Sequence, residues 1–97
     1  MVARLIGLYL EGTPPLIERM KQAHADDDHE ALRAAAHTLK SSSANVGAMK
    51  LHGLCEELES RARERRGDDA PVWIERIEQA FLAAREVLGR ELPQASR

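Results

Sequence analysis

Ninety-seven residues suit a single domain, and a hydrophobic share of 43% with only 3% aromatics leaves Leu, Ile, Val and Ala to fill its core. That palette, with abundant Glu and Arg, favours helix–helix packing over a sheet. Charge is nearly balanced, with 14 Lys and Arg against 16 Asp and Glu for a net −2. This lacks the basic excess that binding a phosphate backbone demands, and it argues against nucleic acid as a partner.

No apolar run nears the roughly 20 residues of a membrane span, and no signal-peptide pattern opens the chain, so no membrane insertion is expected. The single cysteine, Cys55, cannot form an internal disulfide and points to a reducing compartment. A cytoplasmic location is expected, either alone or as the cytoplasmic part of a larger, membrane-anchored protein. The apolar, helical start at Met1-Val2-Ala3-Arg4-Leu5-Ile6 reads as a domain cut from a longer polypeptide.

Five helical segments are predicted. The first covers Val2 to Glu11, apolar at Leu5, Ile6, Leu8, Tyr9 and Leu10. Gly12-Thr13-Pro14-Pro15 is expected to interrupt it, with Thr13 capping a second helix that runs to about Ala25 through Leu16, Ile17, Met20 and Ala23. Asp26-Asp27-Asp28 marks the next boundary, where Asp27 and Glu30 have the spacing of a capping box. The third helix carries Leu32, Ala35, Ala36, Leu39 and Ser43 on one face. It should end near Val46, with Gly47 in the left-handed conformation.

Leu51, Leu54, Cys55, Leu58 and Ala62 define the fourth helix, and Gly67-Asp68-Asp69 breaks it. The last helix is capped by Asp68 or Asp69, holds Pro71 in its first turn, and shows Ile74, Ile77, Phe81, Ala84 and Leu88, with Trp73 and Val87 flanking. Pro93 stops it. The expected organisation is one domain over residues 1–92 with a frayed tail over 93–97. The fold class is all-α: an antiparallel four-helix bundle with a short additional N-terminal helix across one end.

At 100° per residue, His37 lies about 140° from Leu32, opposite the apolar stripe, so it should face solvent. Arg33, Ala34, Lys40 and Ser41 are one turn away and Ala44 is two turns on. This gives a titratable ring with a cation at i+3 and otherwise small neighbours, which let another protein approach closely. A neutral imidazole attacks phosphorus through one nitrogen when the other keeps its proton, and a carboxylate on that second nitrogen fixes the tautomer. Glu59, about 80° from Leu51 at the edge of its helix's stripe, is the candidate carboxylate, ahead of Glu56 and His52 on the same flank. Lys40 would sit beside the transferred group, whose oxygens carry charge in the transition state.

Other groups have plainer readings. His24 and His29 beside the aspartates read as a solvated helix junction in preference to a metal site, and no metal is expected. Cys55 reads as a buried thiol. The run Arg61, Arg63, Arg65 and Arg66, interleaved with Glu59 and Glu64, reads as a solvated face with docking as the lesser alternative. Ser41, Ser42 and Ser43 have no base to make them a nucleophilic site.

The segment Ala36-His37-Thr38-Leu39-Lys40-Ser41-Ser42-Ser43, then Gly47-Ala48, Leu51, Leu54-Cys55 and Leu58-Glu59, resembles the signature of histidine-containing phosphotransfer (HPt) domains of multistep phosphorelays. The close match spans residues 36–59. The resemblance implies that His37 is phosphorylated on Nε2, that Lys40 contacts the phosphoryl group, and that Glu59 holds Nδ1. It implies response-regulator receiver domains as partners, docking over Arg33, Ala34, Ser41 and Ala44. No cofactor is expected on this chain, and Mg²⁺ is expected on the partner receiver. A monomeric module is implied, with the C-terminal domain of a hybrid sensor kinase as one setting. Ser41 stands where the family usually has glycine, which affects how closely a partner backbone approaches. No nucleotide-binding glycine motif is present, so ATP-dependent kinase activity of its own is not expected. The alternatives are a phosphotransfer domain of a chemotaxis-type kinase, and a non-catalytic helical docking scaffold.

Overall fold

The structure, a computed structural model, describes residues 2–65 and 68–90. Among these are four helices and no strand: α1 (Val2–Ala25), α2 (His29–Asn45), α3 (Met49–Arg63) and α4 (Ala70–Gly89). Each helix packs on the next and α4 closes back on α1, which with such short connections gives an antiparallel, up-down-up-down bundle about 46 Å long. The expected all-α four-helix bundle is therefore found. Gly67, Pro93 and the 93–97 tail, on which the predicted break, stop and fraying rest, lie outside the described residues, as do Met1 and Arg66.

One expectation is corrected. The predicted short N-terminal helix is not separate, because α1 runs without a break through Gly12-Thr13-Pro14-Pro15. Proline normally disfavours a helix interior by removing a hydrogen bond and crowding the preceding turn. Here Ile6, Tyr9, Thr13, Ile17, Met20 and Ala23 are all buried at spacings of three or four, so one apolar stripe continues past the proline pair. Both proline rings sit on the exposed face. Thr13 is not an N-cap. It is a buried interior residue whose hydroxyl donates to the Tyr9 carbonyl at 2.7 Å.

The boundary of α2 also shifts by one position. Asp28 is the N-cap and accepts from the Ala31 amide at 3.0 Å, while Asp27 adopts a left-handed φ of 56° in the turn before it. At the other end Val46 is the C-cap and Gly47 takes φ 78°, as its position suggested. Asp69 precedes α4 but makes no side-chain cap bond. Its carboxylate pairs instead with Arg61, which also binds Glu57 and lies 4.8 Å over the Trp73 ring. Pro71 occupies the first turn of α4.

The core joins Leu32, Ala35, Ala36 and Leu39 of α2 to Leu51, Cys55, Leu58 and Ala62 of α3 and to Ile74, Ile77 and Phe81 of α4. Small alanines on α2 let neighbouring helices come close, and this fixes how α2 and α3 present their outer faces. A buried polar bond crosses the core: Tyr9 Oη and Ser43 Oγ lie 2.8 Å apart, joining α1 to α2. Tyr9 also meets Phe81 edge-on.

Candidate functional site

The packing of α2 against α3 turns His37 outward and Glu59 inward. The His37 side chain is 54% exposed, midway along α2, whereas the Glu59 side chain is only 5% exposed beside it on α3. His37 Nδ1 lies 2.9 Å from Glu59 Oε2. With Glu59 ionised, the imidazole must donate there, so its proton resides on Nδ1 and the Nε2 lone pair is free. The sequence puts Glu59 at the edge of its helix's stripe. It is in fact buried, which shields its charge from water and strengthens its hold on the ring.

Three cations converge on that carboxylate. Lys40 Nζ, one turn beyond His37, forms an ion pair with Oε1 at 2.8 Å, and that oxygen accepts no well-aligned hydrogen bond among the described residues. Arg63 Nη2, one turn beyond Glu59 on α3, donates to Oε2 at 3.2 Å. Arg33 Nη1 stands 4.0 Å from Oε2, its main contact being Glu30 on its own helix. Burial alone would raise the Glu59 carboxyl, but Lys40 and His37 together outweigh it and hold it below its ordinary value of 4.5.

Behind this layer, Cys55 is fully buried. Burial, helped by the Glu59 charge and opposed by Lys40, pushes its thiol from 9.0 up to about 12, so it acts as an apolar filler. His52 does not reach the His37 ring. Its Nδ1 donates to the Lys40 backbone carbonyl at 3.2 Å, tying α3 to the α2 turn that carries Lys40.

The remaining sequence-derived residues fall around the ring. Ala34, Ser41 and Ala44 are exposed on the same outer face of α2 as His37, with Arg33 half-buried at its edge. Ala34, Ser41 and Ala44 carry only short side chains, which leaves that side of the ring open to an approaching surface. Glu56 is exposed and makes no contact with the His37 ring. His29 and Asp27 lie 3.7 Å apart at the α1–α2 turn, away from His37.

Arg63 is the site residue that sequence reasoning left in a solvated face. Its i+4 relation to Glu59 is a readable signal, since such pairs are neighbours on a helix surface. What the sequence hid was that Glu59 is buried, which separates Arg63 from an ordinary surface pair. Arg61 in the same run is structural, bound to Glu57, Asp69 and Trp73.

The arrangement can do one thing well. It presents the Nε2 lone pair of His37 to an incoming electrophile while a buried, ionised carboxylate on Nδ1 stabilises the positive charge that develops on the ring. Comparison with protein families gives a match to the Hpt domain over residues 4–87. Comparison with curated proteins gives no significant match. Among solved structures, the chain is similar to histidine-containing phosphotransfer protein B (HptB) from Pseudomonas aeruginosa PAO1. That similarity has a TM-score of 0.89 and 32% sequence identity, covering 92% of this chain and 77% of that one.

Proposed function

We propose a mechanism from the premise that the chain belongs to the Hpt domain family and is a phosphorelay phosphocarrier: His37 accepts a phosphoryl group from a receiver-domain aspartate and passes it, reversibly, to a second receiver. The observation that carries this reading is the division of the imidazole. Nδ1 is held by a buried carboxylate, and the rest of the ring is exposed on the face that carries Ala34, Ser41 and Ala44.

In the forward step the Nε2 lone pair attacks phosphorus in line. The acyl-phosphate P–O bond breaks, its electron pair returns to the aspartate carboxylate, and an N–P bond takes its place. Nδ1 keeps its proton throughout. As the ring becomes an imidazolium, the Glu59 carboxylate 2.9 Å away stabilises it. Lys40 is the cation that meets the phosphoryl oxygens. Because the transition state is loose, most of the catalysis is positioning and charge compensation. Mg²⁺ belongs to the receiver in this scheme.

Docking is transient and runs over Ala34, Ser41 and Ala44, whose short side chains permit close approach. Arg33 stands at the rim. Serine at position 41 is short and adds a hydroxyl within the docking face.

The test is a time course with an isotopically labelled phospho-receiver and no ATP. Label should move to this chain as an acid-labile, alkali-stable phosphoramidate, and His37→Gln should lose it while keeping the fold. Loading that requires a kinase domain and ATP would favour the chemotaxis-type reading. An unchanged partner response in His37→Gln would favour the docking scaffold.

A further inference from the structure

Glu59 has more positive partners than holding one imidazole requires. Lys40 lies on Oε1 at 2.8 Å, Arg63 on Oε2 at 3.2 Å, and Arg33 behind it at 4.0 Å. In the mechanism above Lys40 has a second duty, at the phosphoryl group on Nε2. Its ammonium nevertheless rests against the carboxylate that binds Nδ1, on the other side of the ring. It cannot serve both from one position. When Lys40 leaves, Oε1 of a carboxylate only 5% exposed loses its cation before the imidazolium has fully formed at Oε2, and taking a cation from a buried charge is disfavoured.

We propose that Arg63 is the positioning residue that makes this exchange possible: it remains on Oε2 as the resident counter-ion of Glu59 while Lys40 moves between carboxylate and phosphoryl group. The inference rests on the phosphocarrier reading with His37 as acceptor. Arg63 suits the task because it sits on the same helix as Glu59, so its reach is independent of α2. Its guanidinium is permanently charged, and it binds the oxygen that Lys40 does not use. His52 pins the Lys40 carbonyl, so the exchange involves the lysine side chain and leaves the helix in place. The other ionisable groups nearby do not substitute for Arg63. Arg33 is committed to Glu30, Glu56 and Glu57 are acidic side chains lining the hollow between Lys40, Glu59 and Arg63, and Cys55 stays a neutral thiol.

Two measurements test this. The first is a double-mutant cycle on folding stability at neutral pH, by urea titration, with Lys40→Ala, Arg63→Ala and the pair. Each single change leaves Glu59 one cation within 3.2 Å, whereas the pair leaves it only Arg33, at 4.0 Å and already paired with Glu30. The double variant should therefore lose about tenfold more in the folding equilibrium than the product of the singles, and the excess should vanish in a Glu59→Gln background. An additive cycle overturns the proposal.

The second measurement loads His37 with phosphoramidate, whose P–N bond breaks with its electron pair leaving as ammonia while the Nε2–P bond forms. Arg63→Gln should slow loading about tenfold, Arg63→Lys should restore it, and Arg63→Gln should have no effect once Glu59 is Gln. Equal loading of wild type and Arg63→Gln overturns the proposal. A coupled cycle in a protein that takes phosphoryl from neither phosphoramidate nor a receiver upholds the counter-ion role and overturns the phosphocarrier mechanism instead.

Discussion

Glu59→Gln isolates the charge of the carboxylate, because glutamine has the same shape and its carbonyl still accepts from Nδ1–H. The substitution makes the contacts to Lys40, His37 and Arg63, at 2.8, 2.9 and 3.2 Å, neutral or opposed. A hydrogen bond to a charged group contributes about 1.5–3 kcal/mol against about 0.5–1.5 for a neutral one, so each contact loses about 1 kcal/mol. His37 and Arg63 are 54% and 61% exposed and are screened by water, which leaves Lys40, at 22%, as the main contributor. Glutamine also avoids the desolvation that the buried carboxylate suffers. The net loss of stability near neutral pH is then about 1–2 kcal/mol.

The pH dependence has a definite sign. Burial pushes the Glu59 carboxyl up, but Lys40 and His37 bring it below 4.5, so its contribution is complete above that value and is lost as pH falls through the lowered one. Urea titrations of wild type and Glu59→Gln should therefore differ at neutral pH and converge in acid. Losing an oriented partner of this kind slows the reaction about 10–100-fold, which single-turnover loading of His37 would read. A stability gap that persists or widens in acid refutes the charge assignment. Loading at the wild-type rate removes Glu59 from the chemistry.

Other expectations follow from single positions. His37→Gln should cost no more than about 1.5 kcal/mol, the range of one hydrogen bond, since the ring is exposed, is no part of the core and bonds only to Glu59 among the described residues; a larger loss in the urea midpoint would contradict its placement. Leu39→Ala removes a fully buried side chain from the α2 stripe and should cost about 2–5 kcal/mol by the same measurement. Gly47→Ala should cost about 1 kcal/mol through its φ of 78° alone, because an added Cβ would meet nothing within 4 Å; no change would mean the turn relaxes freely. Cys55, with its thiol raised from 9.0 to about 12, should ignore Ellman's reagent at mildly alkaline pH until denaturant is added. Its resistance to ionising should make the fold weaken as pH climbs past 9, and prompt native labelling would refute its burial.

Periodicity carried most of the fold. Leu32, Ala35, Ala36, Leu39 and Ser43 were readable as one face of α2, and all five are buried there. On α4, Ile74, Ile77 and Phe81 were readable in the same way. The proline pair misled because a local preference was set against an apolar stripe whose continuity shows only when both halves pack on the same neighbours. The α2 cap moved from Asp27 to Asp28 because three adjacent aspartates offer nearly equal caps, and the left-handed turn at Asp27 is invisible in the residue order. At the site, angular position alone turned His37 outward and brought Glu59 to its flank. The depth of Glu59 depends on the distance between two helices, which no single-helix projection contains. Arg63 and the Tyr9–Ser43 bond were hidden for the same reason.

The uninterrupted course of α1 conceals a seam. Pro14 and Pro15 bring no N–H, so the Leu10 and Glu11 carbonyls lack their usual helical donors and the ladder is cut at that level. The turns before the seam are retained by the side chains of Ile6, Tyr9 and Thr13 more than by continuity with the rest of the rod. Such an arm can lift as a unit of its own, exchanging its amide protons ahead of those in the turns that follow. Lifting it would take the Tyr9 hydroxyl away from Ser43, so breathing at the amino-terminal end reaches the helix that bears His37.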